Sequence, residues 1–82
     1  MDYASAEIDL ILEFHGNEKW AIEIKHSSSP KISKGFYIAS ADIKPHQMFV
    51  VYSGSDQFSM GNDIKAISLM GLMHKIIEMD KD

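Results

Sequence analysis

The stretch Glu7–Lys25, EIDLILEFHGNEKWAIEIK, decides how this chain folds. Over residues 7–14 the apolar Ile8, Leu10, Leu12 and Phe14 alternate with Glu7, Asp9, Ile11 and Glu13, the period of a half-buried strand. HGNE has turn composition, and KWAIEIK resumes the alternation, with Trp20, Ile22 and Ile24 on the oily side and Ala21, Glu23 and Lys25 opposite. The two strands therefore form a hairpin. Both apolar faces must point the same way, so even positions pair with even positions. That parity needs an odd number of loop residues, such as three around Gly16 and Asn17. Asp9 then lands beside Glu23 or Lys25 on the less oily face.

Outward from the hairpin, HSSSP ends the second strand. A serine there can cap a helix, and Pro30 suits a first helical turn, where its missing N–H costs nothing. Ile32, Phe36, Ala39 and Ile43 recur at helical spacing, which predicts a helix from about Pro30 to Asp42. Pro45 closes it. QMFVVYS is apolar on both faces, as in a strand inside a covered sheet. Strand, helix and strand make a right-handed crossover, so the flanking strands are parallel. GSDQFSMGND reads as a loop and IKAISL as a short strand, and Leu69, Leu72, Met73, Ile76 and Ile77 mark a terminal amphipathic helix. The expected architecture is α/β: a mixed sheet flanked by helices, in the order strand, strand, helix, strand, strand, helix.

Composition narrows the rest. At 82 residues the chain is a single domain spanning 1–82, and 45% hydrophobic with 24% charged residues is globular. No apolar run approaches the roughly 20 residues that cross a bilayer, so no membrane partner is expected. The opening MDYASAE is acidic and polar, unlike a secretory signal, and cytoplasm is the expected compartment. There are no cysteines, which removes disulfides and thiolate metal sites. A net charge of −4, with lysine the sole basic residue besides histidine, argues for weak nucleic-acid binding that fades with salt.

The chemistry-bearing constellation is Asp9, Glu23 and Lys25. Two nearby carboxylates repel unless a cation lies between them. Mg²⁺, or Mn²⁺, takes one or two carboxylates together with substrate phosphate, and the Ile24 carbonyl can add a third oxygen. Lys25 would then orient or deprotonate an attacking water and offset charge on phosphate. The alternative is a solvated strand face with cross-strand pairs worth roughly 0.2–1 kcal/mol. Ser28, Ser29, Lys31 and Lys34 surround the expected helix N-terminus and are possible phosphate contacts, against simple capping. His15, His26, His46 and His74 share no motif, and of these His26 alone adjoins the constellation.

An aspartate in one strand (EIDLILE) followed by Glu-x-Lys in the next (IEIK), then a helix and a strand, resembles the PD-(D/E)xK nuclease superfamily, the restriction-endonuclease-like fold. AEIDLILE, WAIEIKHSSSPKISKGF and FVVYSG together look more closely like the C-terminal domain of prokaryotic AAA-type ATPases, a likeness running from about Ser5 to Met73. The resemblance implies metal ligation by Asp9 and Glu23, a catalytic Lys25, and an ATPase as a possible partner. Ile8 stands where the signature has proline, and no Walker phosphate loop occurs. The elements that usually open this fold are expected to be missing, leaving an N-terminally truncated version. The rival function is a non-catalytic interaction or dimerisation domain associated with an ATPase. A truncated sheet leaves an edge open for another chain, so a homodimer is expected. Light scattering at high micromolar concentration should give twice the chain mass, and a single-chain mass would refute this.

Overall fold

The computed structural model describes residues 8–28 and 31–80. Its strands are β1 (Leu10–Phe14), β2 (Glu18–Ile24), β3 (Gln47–Val51), β4 (Phe58–Ser59) and β5 (Ile64–Ile67), and its helices are α1 (Lys34–Ile43) and α2 (Leu69–Asp80). The sheet runs in the order β1-β2-β3-β5-β4. The β1/β2 and β4/β5 pairs are antiparallel, whereas β2/β3 and β3/β5 are parallel. Among the described residues, no helix is long and apolar enough to cross a membrane.

The hairpin has the expected parity: Leu10 faces Ile22 and Leu12 faces Trp20. Its loop is the single turn His15–Asn17, in which Gly16 (φ 77°) and Asn17 (φ 64°) both take left-handed backbone. Glycine and asparagine accept that conformation at little cost, which is why GN sits there. The crossover also follows expectation, with α1 between the parallel β2 and β3. Lys44 ends α1 in left-handed conformation, its N–H donating to Ser40 O at 2.8 Å. His46 then clamps the start of β3 to β2: its N–H donates to Lys19 O at 2.7 Å, and its Nδ1 accepts from Lys19 N–H at 3.1 Å.

Four expectations need correction. The helix starts at Lys34 rather than Pro30, capped by Ser33, whose Oγ accepts the Phe36 N–H at 3.1 Å. Ser29 and Pro30 lie outside the described residues, and Lys31 to Ser33 are not helical. The loop GSDQFSMGND contains β4, which is too short for any periodicity to reveal; it turns back into β5 through Gly61, Asn62 and Asp63, all at positive φ. Strand β2 is buried on both faces from Trp20 to Glu23, because β3 and β1 flank it and helices cover it, so its second face is not the solvated one the alternation implied. Finally, Leu69, Met73 and Ile77 of α2 are exposed, while Leu72 and Ile76 pack on the core.

The two helices cover opposite faces of the sheet. One face joins Trp20, Ile22, Phe49, Val51 and Ile67 to Leu72 of α2, and the other joins Ala21, Val50 and Ile64 to Phe36 of α1. On the α2 side the rings of Phe14, Trp20 and Phe49 pack in a row at tilted angles, with centroid spacings of 4.7 and 5.2 Å. Phe36 is fully buried and is the largest side chain α1 contributes. Phe→Ala in a core costs about 3–5 kcal/mol, close to the whole margin of so small a domain. Phe36→Ala should therefore leave the chain largely unfolded by circular dichroism at 25 °C, whereas Ile22→Val, at about 1 kcal/mol, should leave it folded.

Candidate functional site

The C-terminal end of β2 carries the polar residues singled out from the sequence. Asp9, just before β1, is exposed, and its Oδ2 accepts the Ile24 N–H at 2.8 Å. The side chain thus takes the place of a backbone carbonyl and prolongs the hairpin by one rung. Glu23 points to the α1 face and is only 6% exposed. Burying a carboxylate costs several kcal/mol unless its oxygens find partners, and both do. Oε2 meets Lys25 Nζ at 3.0 Å. Oε1 accepts from Ser33 N–H at 3.4 Å and from Ser33 Oγ–H at 3.3 Å.

These contacts form a chain: Phe36 N–H donates to Ser33 Oγ, Ser33 Oγ–H donates to Glu23, and Glu23 accepts the Lys25 ammonium. The carboxylate lies at the N-terminus of α1, where the helix dipole favours negative charge. Lys25 is fixed at its backbone, its N–H donating to Val51 O at 2.8 Å, so β3 holds the amine in register. Asp9, Glu23, Ile24, Lys25 and Ser33 together line one cleft of about 200 Å³. It opens at the carboxyl ends of parallel strands, where open α/β sheets bind ligands.

Sequence reasoning brought Asp9, Glu23, Ile24 and Lys25 to one place, and the coordinates do so as well. The expected phosphate contacts are not assembled there. Ser28, Lys31 and Lys34 are exposed and do not line the cleft, and Ser29 lies outside the described residues. At the α1 N-terminus the Phe36 N–H is met by the Ser33 hydroxyl, and Ser33 in turn donates to Glu23. His26 is exposed and also outside the cleft lining. Glu7 lies outside the described residues. Sequence reasoning missed Ser33. Its signal was a serine three residues before the buried Phe36, the spacing of a capping hydroxyl and the N–H it satisfies. Among the described residues, no group of three or more histidines and carboxylates could hold a metal by itself.

The molecule is thus a small mixed α/β domain with a polar cleft at the end of the inner hairpin strand, β2. It belongs to the family described as a domain of unknown function, DUF4143, which matches residues 1–72. This family is known as a C-terminal domain of AAA-type ATPases. The chain is also similar to the uncharacterized proteins Mb2031c of Mycobacterium bovis and Rv2008c of Mycobacterium tuberculosis, with 32% identity to each over 62 residues. That match covers 76% of this chain but 14% of either relative. No solved structure matches the chain.

Ser33→Ala should lower stability by about 2–3 kcal/mol in urea unfolding, the cost of losing a cap together with a hydrogen bond to the buried Glu23 carboxylate. Ser33→Thr, which keeps the hydroxyl, should recover most of the loss. Equal losses for both variants would mean that the cap contributes little.

Proposed function

We propose that this domain has a restriction-endonuclease-like core and that its cleft is a divalent-metal site of the PD-(D/E)xK type, acting on a phosphodiester. The observation that carries the reading is the convergence of Asp9, Glu23, Ile24 and Lys25 on one cleft at the end of β2. A hairpin, a crossover helix and parallel strands are also what that core would require.

The donor set fits Mg²⁺ or Mn²⁺ in one way. Two carboxylates and the Ile24 carbonyl make an incomplete shell of hard oxygens, which suits an ion that keeps its waters and takes further oxygens from substrate phosphate. Such an ion, when bound, supplies Lewis-acid polarisation and a more acidic water. The protein's own part falls to Lys25. Its ammonium now neutralises Glu23 Oε2. With an ion on Glu23 the amine would have to turn away, and its role would be to offset charge on the phosphate and orient the attacking water. Ser33, which donates to Oε1, would keep the carboxylate aimed if Oε2 were to hold an ion in place of the ammonium.

A second reading has its own support. Glu23 is fully partnered from within the protein, and the Asp9 carboxylate serves the hairpin, as in a scaffold that has given up chemistry. On that reading the domain is a non-catalytic interaction or dimerisation module that docks on an ATPase.

Calorimetry with Mn²⁺ and cleavage assays on single- and double-stranded DNA and RNA separate the two. The metal-site reading expects Mn²⁺ binding that Glu23→Gln weakens at least about tenfold, the loss of one charged ligand. It also expects Lys25→Met to bind Mn²⁺ no more weakly than the unaltered protein, because the competing ammonium is gone, yet to lose cleavage. Absence of Mn²⁺ binding, or cleavage indifferent to both changes, would overturn it and favour the scaffold.

A further inference from the structure

The sheet ends in two unlike edges. At one, β4 has two residues and offers another chain almost nothing to extend; a very short edge strand is one way proteins block pairing. At the other, β1 runs for five residues, LILEF, in unbroken register with β2 and without lysine, proline or bulge. No strand covers its outer side among the described residues, and Leu10 and Ile11 are 42% and 40% exposed.

A second apolar surface adjoins this edge. Lys75 of α2 lines a cavity with Lys65 of β5, so that side of the helix faces β5. Round a helix of about 3.6 residues per turn, Lys75 is followed by Leu72 and Ile76, which pack on the core, and then by Leu69, Met73 and Ile77, which are exposed. The exposed stripe therefore lies on the side of α2 away from β5, towards β1. A five-residue strand alone falls well short of the roughly 800 Å² per partner of a stable interface, and the stripe enlarges it.

We propose that a second copy of this chain covers both surfaces, its β1 added antiparallel to β1 about a two-fold axis through Leu12. An axis normal to the sheet sets even positions opposite even ones. Charge then selects the register, because like charges directly opposite destabilise a strand pair. Centred on Ile11, the pairing opposes Asp9 to Glu13; centred on Glu13, it opposes Glu13 to its own counterpart. Centred on Leu12, Leu10 meets Phe14, Ile11 meets Glu13, and no like charges are opposed. Both copies carry α2 on the same face, and their stripes face each other over the seam. Asp9, which lines the Glu23 cleft, comes level with the turn of the second copy and its exposed His15. This pairing does not depend on a metal in the cleft.

Sedimentation across a concentration series tests it, with each variant checked for an intact amide spectrum. The unaltered chain should approach twice the chain mass at high micromolar concentration, and amide exchange should slow with concentration in β1 but not in β4. Ile11→Glu, which sets a carboxylate against Glu13 of the second copy, should raise the dissociation constant at least about tenfold, the loss expected from opposing like charges. Ile11→Lys, which sets an ammonium there instead, should not weaken the dimer. Met73→Lys should weaken it about tenfold, and Ser59→Lys in β4 should leave it unchanged. A single-chain mass throughout, equal weakening by the two Ile11 variants, or weakening by Ser59→Lys but not Met73→Lys would overturn the proposal.

Discussion

The fold turns on a buried carboxylate. Glu23 sits near the end of β2, the inner hairpin strand, nearly out of solvent, and a charge there is tolerable only if neighbours compensate it. The compensation comes from two directions. Lys25, two residues along the same strand and therefore on the same face, supplies the ammonium. Ser33, at the cap of α1, supplies a hydroxyl and an amide. The second contact fixes where α1 begins. It brings the cap to the strand end, so that Phe36, three residues on, drops into the core between Ala21, Val50 and Ile64. Polar satisfaction and core packing thus select the same start for the helix.

That start governs the cleft. Helix α1 crosses one face of the sheet while α2 covers the other, leaving the carboxyl end of β2 as an open polar rim between two covered faces. Asp9 closes the rim from the β1 side by capping the Ile24 N–H. The far face is built differently. Its tilted aromatic row from Phe14 to Phe49 is apolar, and Lys65 and Lys75 lie where α2 meets β5. α2 also turns Leu69, Met70, Met73 and Ile77 outward, so a helix apolar over half its circumference spends only part of that surface on its own sheet.

Much of this was legible in the sequence, for identifiable reasons. Period-two alternation in β1 and β2 sets which residues share a face; the pleat then requires an odd-numbered loop, which is three residues long, and brings Asp9 to the cleft of Glu23 and Lys25. The proline after α1 and the two-faced apolar run of β3 likewise carry strong local signals. What was not legible depended on tertiary choice. Several serines precede α1, and it takes the tertiary contacts of Glu23 and Phe36 together to select Ser33 as the cap. Strand β4 has two residues and exists because β5 offers it an edge. The apolar stripe of α2 marks a helix, but nothing in its spacing says which half meets the sheet. Glu23 read as half-solvated because alternation alone cannot show that a second helix covers that face.

The central claim is that the oxygens of Asp9, Glu23 and Ile24 converge closely enough to hold a divalent ion. The most direct test is substoichiometric Mn²⁺ added to isotope-labelled protein, with amide line broadening read residue by residue. The account predicts selective loss of the Ile24, Lys25 and Ser33 signals before any other, suppressed by Glu23→Gln. Uniform broadening, or broadening centred on exposed carboxylates elsewhere such as Asp42 or Asp63, would contradict it.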